Sequence, residues 1–444
     1  MSKILYSLYF LLIPLLVEAY TLSSGELDFK ENQLSLKGNV SIVQDEFKIL
    51  SDSALIERKE NSSHLKKASF DHHVLVKLPS NGTIFCDHSF IDFESQLGEL
   101  KMDKGKILYT GEFNFQGQNY PLISYCKKAH FAFNSEDKTH FSIDELMLEG
   151  DLETRVDKKF TLNANRAKIQ FFQDKTPPSF KTIELFSDED SLEFDFLQSH
   201  INTCYFKLDL AEDRILLGQM KGSWGSVTKT LFSCSKLDYD KEKKFTVLSG
   251  PVELSNDLFS HFQTNGSLEL THFNPENLST LKMIKILGPF SCSYLNHEIK
   301  SEQGMIIDHS RTIAIIAQTA AAHPILYRYK DIEITAEKLE LRYDPVTLTI
   351  LEVKFSHNVF IRLKESLYSF KQALAHELKF YPEDHLIKLS AKTEEKILFW
   401  TNDDDLAMTM DGLEIFIHPE TKKIFCKTFG NVKSMLKKTS ELKF

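Results

Sequence analysis

Apolar and polar residues alternate with period two along most of this chain. Leu34, Leu36, Val40 and Ile42 alternate with polar residues across Gly38. Leu192, Phe194 and Phe196 repeat the pattern, as do Ile332, Ile334 and Ala336, then Leu339, Leu341 and Tyr343, and finally Leu413, Ile415 and Ile417. Period two gives each strand one apolar and one polar face. Such strands belong to antiparallel sheets with one wet side. The 35 Phe residues suit that half-buried, pleated surface. Turn clusters such as Pro79-Ser80-Asn81-Gly82, Asp344-Pro345 and Pro382-Glu383-Asp384 recur often enough to leave little room for long helices. Ser366 to Leu378 is the best helix candidate, and it also fits a strand around Tyr368, Phe370 and Leu374.

The alternation is organised in a repeat. Two strands joined at a Gly or His/Asn turn return after about 35 residues, a period that marks units stacking to bury one shared apolar face. The clearest copy runs from Gly38 to Glu57 and the second from Gly150 to Ile169, with weaker copies near Gly111, Gly250, Gly288, His357 and Gly430.

Composition narrows the function classes. At 42% hydrophobic residues, the 444-residue chain can bury a sizeable core and is too apolar for a disordered protein. A net charge of -10 argues against a nucleic-acid ligand, which needs a basic stripe. Lys3, the uncharged run Ile4 to Val17 and the small-x-small site Val17-Glu18-Ala19 read as an export signal ending at residue 19, the alternative being an uncleaved anchor. The later apolar stretch Ile313 to Leu326 is broken by Gln318, His323 and Pro324. Cys86, Cys126, Cys204, Cys234, Cys292 and Cys426 can pair in an oxidising compartment or remain buried thiols on strands.

Catalytic and metal motifs are not found. There is no GxSxG, P-loop or GxGxxG, and His376-Glu377 lacks the second His of a zinc helix. Asp71-His72-His73 reads as a polar edge strand rather than a metal site, because adjacent strand residues point to opposite faces. Asp403-Asp404-Asp405 reads as a solvated turn. No catalytic residue, metal or cofactor is expected.

In repeat register the units resemble the OstA-like family of lipopolysaccharide-transport proteins (LptA, LptC and LptD N-terminal domain-like). The family's pattern is an apolar pair, Gly-Asn-Val, an alternating strand, a polar turn, then ile-x-ala-asp-x-ala-x-ile. Here Leu34, Leu36, Gly38, Asn39, Val40 and Ile42 are followed by Phe47, Ile49, Ser51, Asp52, Ala54 and Ile56. Phe160, Leu162, Ala164, Asn165, Ala167 and Ile169 fill matching places, as do Ile332, Ile334, Ala336, Glu337, Leu339 and Leu341 before His357-Asn358-Val359. The chain is much longer than LptA-like proteins and shows no membrane barrel after Asn431.

The resemblance implies an all-β, extended V-shaped antiparallel β-jellyroll of stacked hairpin repeats. After a signal peptide at 1–19, repeats are expected over 20–175 and, more degenerate, over 179–444, divided at Thr176-Pro177-Pro178-Ser179. It further implies a periplasmic protein that carries lipopolysaccharide or another acylated lipid in an apolar groove. Groove candidates are Leu36, Val40, Ile42, Phe47, Ile49, Leu152, Phe160 and Leu162. Partner jellyrolls are expected on the edge strands near Leu27 to Leu36 and Ile424 to Val432. Read from the residues alone, the same inward positions fit better the closed core of a sandwich, as in an exported structural or adhesion scaffold. A β-helical carbohydrate-active enzyme ranks below both, because the chain lacks Asn or Gly ladders.

Overall fold

The computed structural model describes residues 21–436 apart from 45–46, 61–64, 79–81, 116–117, 135–141, 158–159, 173–179, 189–191, 197–198, 225–228, 257–258, 275–276, 318–319, 321, 365–368 and 402–405. The described residues form 38 strands and no helix, so the chain is all-β. They divide into two compact units, Met1–Gly222 and Ser223–Phe444. The expected division at Thr176–Ser179 and the export signal both fall outside the described residues.

Each unit is an antiparallel jellyroll built from strands that turn a corner midway. Gln33–Gln44 pairs with Phe47–Arg58, which pairs with Leu65–Lys77, and that with Thr83–Asp92. At the corner two successive residues take left-handed backbone: Gly38 and Asn39 (φ 74 and 51), His72 and His73 (61 and 51), Gly150 and Asp151 (78 and 44), His357 and Asn358 (65 and 49). Register skips at the same places, between Lys37 and Val40, Asp71 and Val74, Glu149 and Leu152, and Ser356 and Val359. Two residues on one strand thus face a single residue on its neighbour, which is a bulge that bends the strand and sends its two halves into different layers. Gly38 is needed because only glycine adopts this backbone without a Cβ penalty; Asn, Asp and His tolerate it better than other residues. The second left-handed residue then bonds a corner residue on the other flanking side. His73 meets Asp52 at 2.8 Å, Asp151 meets Lys127 at 2.6 Å, and Asn358 donates to Glu337.

This geometry revises the reading of Asp71-His72-His73. The strand is not at an edge, since Leu65–Lys77 is paired on both sides. The two histidines are a corner without glycine. Gly250, Gly288 and Gly430 keep positive φ at the junctions of successive strands in the C-terminal unit, whereas Gly111 lies inside the strand Ile107–Phe115 against the Tyr109 ring. The helix candidate at Ser366 is a strand, Phe370–Tyr381, where described.

Inward residues of both layers merge into one core. In the N-terminal unit it runs continuously from Leu34 to Leu192. Outward residues form cross-strand charge ladders, among them Lys168–Glu145, Lys207–Glu184 and Lys354–Glu377. These pairs are solvated and contribute little stability; they keep the wet face polar. The first strands are edges: Glu26–Lys30 pairs with Gln33–Gln44 on one side, and Leu27 and Phe29 are about half exposed. At the other end Ile424–Phe429 pairs with Gly412–Ile417, and Phe425 and Met435 are exposed.

Candidate functional site

The interior of the jellyroll is where the predicted groove residues fall. Leu36, Val40, Ile49 and Leu152 are buried at 1 to 3% exposure and Ile42 at 9%, all in the one core of the N-terminal unit. Ile42 and Ile49 are direct cross-strand partners. Phe47, Phe160 and Leu162 lie on strands, but their side chains are outside the described residues. The described candidates are therefore packed against neighbours. An acyl chain enters this interior only if the two layers part or side chains turn aside.

Register places inward residues that lie far apart in sequence into rows. One row, on the layer that holds Leu36, reads Leu36, Ala54, Phe70, Ser89, Leu100, Ala129, Leu148, Ala167, Leu185 across successive strands. Large and small side chains alternate from Leu36 to Leu185, after which the row continues with the large Phe206 and Leu217. The small members occupy one slot of the repeat, three residues after the corner serine, cysteine or alanine: Ser51 to Ala54, Cys86 to Ser89, Cys126 to Ala129, Ala164 to Ala167. The second Ala of the ala-asp-x-ala motif is that slot. The motif was visible in the sequence; the row it builds needed the register.

The corner carries the titratable groups. His88 Nδ1 lies 2.8 Å from Asp71 and its Nε2 3.0 Å from Asp103. These two carboxylates hold its imidazolium to higher pH than usual, and Asp52 does the same for His73. Among the described residues no group of three His, Cys, Asp or Glu side chains could hold a metal ion. No disulfide joins any two of the six cysteines. Burial pushes Cys86, Cys126 and Cys292 up to about 12, so these thiols are inert packing groups at small inward positions.

The C-terminal unit encloses polar groups as well. His297 and Tyr327 are buried and meet at 2.5 Å between Nδ1 and the phenol oxygen, and the His297 ring stacks on Tyr329 at 4.5 Å. Burial, with help from Lys330, lowers the His297 pKa to about 4. The ring is neutral at pH 7 and shares one hydrogen bond with the Tyr327 hydroxyl.

The described residues thus build a two-layered jellyroll whose interior is mainly apolar and encloses a few polar groups. Comparison with known proteins gives a family match over part of the chain. Residues 21–83 match the family described as LptA/(LptD N-terminal domain) LPS transport protein, which supports the OstA-like resemblance on the segment that carries Gly38-Asn39-Val40. Among solved structures the chain is similar to LptH from Pseudomonas aeruginosa, the LptA homologous periplasmic component of its lipopolysaccharide transport device. That likeness has 6% identity and a TM-score of 0.26, and covers 32% of this chain and 94% of LptH. No curated protein sequence matches the chain.

Proposed function

We propose that the protein shields the acyl chains of lipopolysaccharide, or of a similar acylated lipid, between the layers of its jellyroll during transport to the outer membrane, and that it works in the periplasm. The family match over residues 21–83 carries this reading. The physics supports it. Each methylene moved from water into such an interior contributes roughly 0.8 kcal/mol, so several acyl chains supply ample binding without any covalent chemistry. The sugar and phosphate head stays in solvent at the strand ends opposite the corner. The unpaired sides of Glu26–Lys30 and Ile424–Phe429 offer backbone groups to the edge strand of a partner jellyroll.

Protein purified from its native envelope without harsh detergent is expected to carry acylated lipid detectable by native mass spectrometry. A second reading, a closed scaffold that binds nothing, is favoured by the burial of Leu36, Val40 and Leu152 at 1 to 2% exposure. Lipid-free protein from every envelope preparation establishes that reading instead.

A further inference from the structure

The two units do not offer the same interior. In the N-terminal unit the row from Leu36 to Leu185 is notched at every second strand by Ala54, Ser89, Ala129 and Ala167. The equivalent row of the C-terminal unit reads Leu237, Leu248, Leu268, Ile286, Met305, Ile316, Leu339, Phe355, Leu378, Leu389, Leu413. It has no small member. The repeat slot filled by Ala54 in the first unit is filled here by Leu339 after Ala336-Glu337 and by Leu413 after Met410-Asp411. Neighbouring strands are about 4.8 Å apart, so the notches recur about every 10 Å.

Three further contacts close the second unit. The Tyr327 ring, on the layer that pairs with Ile332–Ala336, reaches Phe355 at 5.2 Å and Phe380 at 6.3 Å on the opposite layer. All three side chains are fully buried, forming a septum of aromatic rings across the interior. At the strand ends away from the corner, the Tyr294 hydroxyl donates to the Leu348 carbonyl at 2.7 Å, and Lys422 lies 3.3 Å from Asp331. Each of these joins a hairpin of one layer to a hairpin of the other. In the first unit a ring cluster stays within a layer: Phe133 meets Phe93 and Phe131, and the Phe131 ring lies over Gly98 on the next strand.

One polar atom points to what the notches hold. Ser89 is 3% exposed, sits between Phe70 and Leu100 on its neighbouring strands, and its hydroxyl has no hydrogen-bond partner. A buried hydroxyl left unmatched is costly, and an acceptor brought by a ligand relieves that cost. Ester and hydroxyl oxygens are the polar atoms that an acylated lipid carries next to its hydrocarbon.

Building on the lipid-carrier reading, we propose that acyl chains are held by the N-terminal unit alone, seated along the notches at Ala54, Ser89, Ala129 and Ala167 with the Ser89 hydroxyl donating to an oxygen of the lipid, while the interior of the C-terminal unit is plugged. The C-terminal unit then carries no lipid and ends in an edge strand.

The test uses the full chain and radiolabelled lipid A as probe. Photo-reactive residues are placed singly at Ala54, Ala129 and Ala167, and at Leu339, Ile361 and Leu378. Crosslinks are expected from the first three and not from the second three. Ser89→Ala is expected to weaken lipid A binding by between about twofold and tenfold, the range for one lost hydrogen bond, while raising the melting temperature of lipid-free protein because an orphaned polar group is removed. Ala129→Leu fills a notch and is expected to weaken binding with Ser89 intact. Equal labelling from both units overturns the plugging, and unchanged affinity in Ser89→Ala overturns the hydrogen bond; both leave the carrier reading standing. Absence of label at all six positions removes the carrier reading and this inference with it.

Discussion

Leu36→Asp is expected to unfold the N-terminal unit, whereas Ser35→Asp one residue earlier leaves it folded. Leu36 is 1% exposed and lies at the head of the notched row, between the layers and opposite Ala54. Substitution forfeits about 2 kcal/mol of apolar burial. It also strands a carboxylate with no cation in a dry interior, where the group either ionises at a cost of several kcal/mol or stays protonated far above its ordinary pKa. Domains of this size have about 5–15 kcal/mol in total. Ser35 is half-buried on the outer face beside Leu55, where a carboxylate keeps its water. Urea titrations followed by tryptophan-independent far-ultraviolet dichroism check the pair. A folded Leu36→Asp variant contradicts the inward row.

The C-terminal unit is expected to lose stability in mild acid through His297. Its pKa is lowered to about 4 by burial, while the unfolded chain returns it to its ordinary value of 6.5. The unfolded state therefore binds the proton first as pH falls. The stability is complete above about pH 6.5 and is lost progressively down to about pH 4. The whole shift corresponds to about 3 kcal/mol, of which about 2 is lost by pH 5. His297→Gln keeps an acceptor for Tyr327 but does not titrate, so its unfolding free energy is expected to vary less between pH 7 and pH 5. The corner histidines act with the opposite sign. His88, held protonated by Asp71 and Asp103, contributes stability that is complete below its ordinary pKa and fades as pH rises through the raised one. Comparison of wild type with His297→Gln, pH by pH, separates the two effects; identical pH dependence in both proteins contradicts a buried neutral ring.

Much of the fold was legible from alternation and from the Gly38-Asn39 turn. Alternation specifies which side chains face inward, and a left-handed Gly-Asn pair specifies where a strand bends. The corner at His72-His73 escaped because it contains no glycine and its residues suit a surface strand equally well. Gly111 misled for the converse reason: a glycine inside an alternating run marks either a bend or a place where a neighbouring ring, here Tyr109, presses on the backbone. The candidate interior was legible in kind but not in its division of labour. Periodicity puts Ala54, Leu339, Tyr327 and Phe355 inward, yet only cross-strand register lines Ala54 up with Phe70 and Ser89, and only the facing of two layers brings Tyr327 onto Phe355. Ser89 could not be singled out at all. A serine on a strand is ordinary until its neighbours show that nothing bonds it.

The central claim, that the apolar rows meet lipid, is tested most directly by site-specific photo-crosslinking in cells that make lipopolysaccharide. A photo-reactive residue at Val40, buried on the inner face, is expected to capture lipopolysaccharide, and the same residue at the adjacent outward position Ser41 is expected to capture none. Capture from Ser41 with none from Val40 contradicts the account.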